Sequence, residues 1–206
     1  MKLTAMAAPL AFAVIVGAGA VAIAADAITW GRSANYDTGV NPAVALDNSG
    51  NVVEVHESEN HDDLWYRVGK VDFASRSISW GRSVKYDTGV NPSVALDNSG
   101  NVIEAHSSQN FAQLWYHVGK LDVASKSISW ARSVKYDTGK FPVLRIDDQG
   151  NVVEVHLSET MDALWYRVGK ADFGSRSVSW NDPVGVAPRR AGAMSVTGGA
   201  ARSDRR

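Results

Sequence analysis

Cysteine is absent from the 206 residues, so disulfides, thiolate metal sites and lipid-modified thiols are all excluded. Packing alone must hold the fold together. Beyond residue 25 no apolar run is long enough to span a bilayer. No convincing helical periodicity occurs there either, and no phosphate loop, nucleophile elbow or H-E-x-x-H pattern is present. Positive charge is scarce as well. Residues 26–180 hold 15 Lys and Arg against 20 Asp and Glu, a formal −5. Such a body argues against a nucleic-acid partner, which needs a basic face to neutralise phosphates. The tail from Asn181 reverses the sign, with five Arg against two Asp, but it is short and rich in Gly and Ala.

What the chain does carry is a fifty-residue repeat. Trp30, Trp80, Trp130 and Trp180 fall fifty apart, as do Tyr36, Tyr86 and Tyr136, and the pairs Trp65-Tyr66, Trp115-Tyr116 and Trp165-Tyr166. All seven Trp and all six Tyr occupy repeat positions. Self-similarity at a fixed period marks an architecture in which each unit buries its apolar face against the next.

Each unit reads as four short strands, taken here from the first. Pro42 to Asp47 is followed by an Asn48-Ser49-Gly50 turn, where Gly suits the positive φ of a hairpin. Asn51 to Ser58 is rich in β-branched residues, and Leu64 to Val71 in aromatic and branched ones. A fourth strand is expected from Ser77 to Tyr86. Hydrophobic matching of the second and third strands pairs Val55 with Tyr66 and Val53 with Val68. That register sets His56 opposite Trp65 and Glu54 opposite Arg67, giving one oily face and one face of Glu, His, Trp and Arg.

The first 25 residues differ in kind. Lys2, an uncharged Ala/Val/Leu-rich stretch from Thr4 to Ile23, and Ala22-Ile23-Ala24 read as a cleaved secretory signal over 1–24. An uncleaved N-terminal membrane anchor is the alternative. The expected domain runs over 26–182, with units of about 42–91, 92–141 and 142–182 preceded by a strand at 28–38, and a disordered tail follows at 183–206. Four-stranded units of this length fit a β-propeller-like array of three blades plus an extra N-terminal strand, or a three-unit β-trefoil.

Candidate chemistry is spread over the repeat. Glu54 and His56 recur as Glu104 and His106 and as Glu154 and His156; spacing of two puts both on one face. A recurring third ligand is lacking, so the expectation is a structural network between blades, completed by Arg67 and Arg167, with no metal and no cofactor. Trp65, Trp115 and Trp165, beside Arg67, His117 and Arg167, suit either core packing or a sugar-stacking platform. The loops that vary between units are the specificity candidates: His61 and Asp62, Asn110 and Phe111, Thr160 and Asp162. Asp47 to Asn51 has alternating oxygen ligands but lacks the length and distal Glu of a calcium loop, and reads as a turn.

The composite W-G-R-S-x-x-Y-D-T-G-x-x-P-x-V-A-L-D-x-x-G-x-V-V-E-V-H and L-W-Y-R-V-G resembles a bacterial secreted repeat family of propeller-like modules, over residues 28–180. The resemblance implies an extracellular, surface-binding role. Departures gather in the third unit: Lys140-Phe141-Pro142-Val143-Leu144-Arg145 replaces Val40-Asn41-Pro42-Ala43-Val44-Ala45, and the motif after Trp180 gives way to Asn181-Asp182-Pro183. The array therefore reads as truncated, or capped by an atypical unit. The expected function is a secreted, non-enzymatic module binding glycans or another extracellular surface multivalently. A partial propeller completed by homo-oligomerisation is the second reading, and a propeller-type glycoside hydrolase or its accessory domain the third.

Overall fold

The computed structural model describes residues 30–60, 62–181 and 184–186, which form fifteen β-strands and no helix. The expected signal segment and most of the tail lie outside the described residues. The first unit supplies β1 (Val40–Leu46), β2 (Asn51–Glu57), β3 (Asp63–Asp72), β4 (Ser77–Trp80) and β5 (Val84–Thr88). The second supplies β6 (Val90–Leu96), β7 (Asn101–Ser107), β8 (Gln113–Asp122), β9 (Ser127–Trp130) and β10 (Val134–Thr138). The third has β11 (Lys140–Ile146), β12 (Asn151–Leu157), β13 (Leu164–Asp172), β14 (Ser177–Trp180) and β15 (Val184–Val186).

Each unit is one antiparallel sheet, ordered β1-β2-β3-β4 in the first with β5 also on β3, and likewise in the others. Among the described residues strands pair only within a unit, so no barrel of the trefoil kind forms. The long central hairpin follows the register that hydrophobic matching demands. Val55 faces Tyr66, Val53 faces Val68, His56 faces Trp65 and Glu54 faces Arg67. The tight turn between β1 and β2 is held by Asp47, whose Oδ1 accepts from Ser49 N at 2.9 Å and Asn51 N at 2.7 Å, while Oδ2 accepts from Asn51 Nδ2 at 2.7 Å. Those oxygens are spent on the turn.

Two expectations need correction. The fourth strand is not continuous: Gly81-Arg82-Ser83 interrupts it, so β4 pairs one end of β3 and β5 the other. The expected strand at 28–38 is absent over its described part, residues 30–38. Its counterparts β5 and β10 form by pairing with the third strand of the sheet before them. Among the described residues no earlier sheet offers this segment a strand to pair with, and it is irregular.

The sheets stack face to face. Val53, Val55, Tyr66 and Val68 of the first sheet pack on Val94, Leu96, Val102, Leu121 and Ile128 of the second. The same pattern repeats with Ile103, Ala105, Tyr116 and Val118 against Leu144, Val152, Ala171 and Val178. Polar contacts key the stack at the same step. Tyr66 Oη accepts from Ile128 N and Tyr116 Oη from Val178 N, both at 3.1 Å. Asn98 Oδ1 accepts from Asn48 N at 2.8 Å, and Asp148 Oδ1 from Asn98 N at 2.9 Å.

Candidate functional site

Each Asp-Thr-Gly segment meets the Glu-x-His strand that follows it in the chain, so that Asp87-Thr88-Gly89 at the end of the first sheet reaches His106 of the second, and Gly139 reaches His156 of the third. Gly39, Gly89 and Gly139 let this happen. Each has φ near +150° to +160°, and an added Cβ would fall 2.5 Å from Cδ2 of His56, His106 or His156. A side chain there would push the Asp-Thr-Gly backbone off the imidazole. In two of the three cases the Asp of this segment is aimed at the histidine: Asp37 Oδ2 lies 4.0 Å from His56 Nε2, and Asp87 Oδ2 lies 3.9 Å from His106 Nε2.

On its far side each histidine is tied to glutamate. Nδ1 of His56, His106 and His156 lies 3.1, 3.1 and 3.0 Å from Oε2 of Glu54, Glu104 and Glu154, all of them buried. Nδ1–H donates to the carboxylate, which leaves Nε2 turned toward the aspartate. Tyr36 sits close to Glu54, and burial together with that carboxylate pushes its phenol up to about 12. Burial and the matching glutamates likewise push Tyr86 and Tyr136 well above the ordinary phenol value.

The aspartate's cationic partner differs between units. Arg67 Nη1 is 3.6 Å from Asp37 Oδ2, and Arg167 Nε is 3.5 Å from Asp137 Oδ2. Arg67 Nε and Nη2 also donate to Gly81 O at 3.1 and 2.7 Å. In the second unit the position is His117, whose Nε2 stands 2.6 Å from Asp87 Oδ2 and whose Nδ1 donates to Ala131 O at 2.8 Å. Burial acts to raise Asp87, but the contacts from His117, Thr88 N–H and His106 outweigh it and bring its carboxyl down to about 2.

Above each cluster opens a cleft. The first, of about 310 Å³, is lined by Asp37, Thr38, His56, Ser58, Glu59, Asn60, Trp65 and Ser83. The second, about 300 Å³, takes Asp87, Thr88, His106, Ser108, Gln109, Phe111, Gln113, Trp115 and Ser133. The third, about 340 Å³, takes Asp137, Thr138, His156, Ser158, Glu159, Thr160 and Trp165. Asp, Thr, His, Ser and Trp are thus common to all three, while the rims differ.

Of the residues singled out from sequence, Trp65, Trp115 and Trp165 are half-buried cleft walls, and Phe111 and Thr160 stand on the rims. Asp62, Asn110 and Asp162 lie outside the linings; Asp162 instead accepts from Ser158 Oγ at 2.8 Å and from Thr160, bracing its loop. His61 lies outside the described residues. Sequence reasoning missed Asp37, Asp87 and Asp137 and the serines that line the clefts. Their signal was the recurrence of Asp-Thr-Gly, which reads on its own as a turn.

No protein-family model and no curated protein matches the chain. Among solved structures, the hydrazine synthase of Kuenenia stuttgartiensis is similar at a TM-score of 0.32 and 11% identity. The match covers 78% of this chain and 53% of that one, so this chain spans about half of its length. Likeness at that level informs neither fold nor activity.

Proposed function

We propose that the protein is a secreted, non-enzymatic repeat module of the β-propeller type that binds glycans or another extracellular surface multivalently. The observation that carries this reading is the threefold recurrence of one cleft with an Asp-Thr-His-Ser-Trp lining under rims of changing chemistry. A tryptophan wall meets the apolar face of a sugar ring, and the polar floor takes its hydroxyls. Three such sites on one rigid frame convert weak single contacts into avidity. The resemblance to secreted propeller-like modules and the export-type N-terminus point the same way. An immobilised glycan array and a cell-wall pull-down test it. Binding by the wild type and loss of at least tenfold in the triple variant Trp65→Ala, Trp115→Ala, Trp165→Ala is expected. Equal retention of the two proteins, or no binding by either, overturns the reading.

A second reading, assembly through a second copy of the chain, is favoured by the two outer faces of the stack. The first sheet leaves Val44 and Leu46 exposed at 61% and 50%, and the third leaves Val153, Val155, Leu164 and Val168 exposed at 43–59%. These are the two halves of the contact that joins the sheets within the chain.

A further inference from the structure

The middle unit breaks the repeat at a position where breaking it changes the chemistry. Elsewhere in the repeat the half-buried carboxylate faces a guanidinium, Asp37 that of Arg67 and Asp137 that of Arg167. In the second unit that fixed cation is removed and a second imidazole, His117, is put in its place. Both imidazoles have Nδ1 occupied, His106 by Glu104 at 3.1 Å and His117 by Ala131 O at 2.8 Å. Both therefore present Nε2 to the same oxygen, Asp87 Oδ2, at 3.9 and 2.6 Å. The three ligand atoms lie within 4.8 Å of one another, and both histidines are at most 4% exposed.

A carboxylate faced by two imidazole nitrogens, with no arginine between them, calls for another positive charge. We propose that Asp87 of the first sheet, with His106 and His117 of the second, forms a binding site for a divalent transition metal of the zinc class, at the one such position among the described residues where histidine replaces arginine. The ligand set suits that class: two imidazoles and one carboxylate are the donors of three-ligand zinc sites, which leave a fourth position to water or substrate. The outer contacts suit it equally. A histidine bound to metal through Nε2 donates Nδ1–H to a carboxylate or a backbone carbonyl, and here one does each. Metal–ligand distances of about 2.0–2.2 Å require His106 to close on Asp87 by a few tenths of an ångström or more and His117 to open by a similar amount. Asp87 and His106 also line the second cleft, so the open position would face it. The site stands independently of what the clefts bind. The competing occupant is a proton on His117, which would make an ordinary imidazolium–carboxylate pair with no affinity for metal.

Isothermal titration of the EDTA-stripped, untagged full chain with Zn²⁺ separates the two, with Co²⁺ absorption as a second readout. One Zn²⁺ per chain at micromolar or tighter Kd is expected, with a visible-region Co²⁺ band of low-coordinate type. His117→Arg installs the residue that the other two units hold at this place, so the fold has already accommodated it twice; that variant should keep its circular dichroism and lose the site. Asp87→Asn, close to isosteric, should weaken Zn²⁺ at least tenfold. Absence of uptake by the wild type overturns the proposal, and so does unchanged stoichiometry and affinity in a folded His117→Arg protein.

Discussion

Phe141 is the residue most at odds with its backbone. It adopts φ of +55°, as do its repeat counterparts Asn41 at +51° and Asn91 at +54°. Asparagine adopts that left-handed conformation at less cost than phenylalanine: both carry a Cβ that crowds the following carbonyl, but only asparagine's short amide can offset this by hydrogen-bonding the local backbone. In the first unit the asparagine gains further: Asn41 Nδ2 donates to Glu57 Oε2 at 3.0 Å. The third unit has Leu157 where Glu57 stands, so an asparagine at 141 would gain conformational relief alone. Phe141 is 42% exposed and forfeits little apolar burial on replacement. Phe141→Asn should therefore stabilise the protein by about 0.5–1 kcal/mol. The measurement is the urea midpoint at neutral pH, and an unchanged or lower midpoint contradicts the strain argument.

The turn joining the third and fourth strands is the element with the clearest pH signature. Asp72 Oδ1 accepts from Ala74 N at 2.9 Å and Ser75 N at 3.2 Å, and Oδ2 from Ser75 Oγ at 2.6 Å. Serine hydroxyl and backbone donors hold Asp72, Asp122 and Asp172 below the ordinary carboxylate value of 3.8. A carboxyl depressed in the folded state stabilises it above the unfolded value and ceases to do so as pH falls through the folded one. Stability should thus decline below about pH 3.8, and the triple variant Asp72→Asn, Asp122→Asn, Asp172→Asn should flatten that decline. Urea midpoints from pH 5 down to pH 2.5 check it; parallel curves for the two proteins would contradict it.

The same elements show how much a sequence conveys. The central hairpin was fully legible, since one register alone keeps Val53, Val55, Tyr66 and Val68 on one face. The break at Gly81-Arg82-Ser83 was not, because the pattern on either side continues as strand, while in the sheet these three residues stand against only two of β3, Arg67 and Val68. The clefts were half legible. Their tryptophans and histidines stood out as rare residues at fixed spacing, whereas Asp37, Asp87 and Asp137 were masked by the turn-forming character of Asp-Thr-Gly. His117 escaped a search for recurring ligands because its meaning lies in being the exception.

The outer faces of the stack set the last question. Val153, Val155, Leu164, Tyr166 and Val168 occupy, fifty residues on, the places of Ile103, Ala105, Leu114, Tyr116 and Val118, the last five being buried. Val44, Leu46 and Ile78 occupy the places of Val94, Leu96 and Ile128, buried against the first sheet. A second copy could therefore dock head to tail by the rule already used twice within the chain, with Tyr166 Oη accepting from its partner's Ile78 N as Tyr66 does from Ile128 N. Two copies would give six sheets, within the usual range of four to eight blades for a closed propeller, and a heterologous contact that closes ends as a ring rather than a fibre. Arg145 opposes this, standing where the first and second sheets have Ala45 and Ala95. Light scattering should accordingly give twice the chain mass at high concentration, with tighter association for Arg145→Ala. Val155→Asp, on a face already 43% exposed, should leave the fold intact and weaken association about a hundredfold, since an unpaired carboxylate enters a dry contact. A wild type that stays monomeric at millimolar concentration would show that Arg145 caps the stack and that three sheets stand alone.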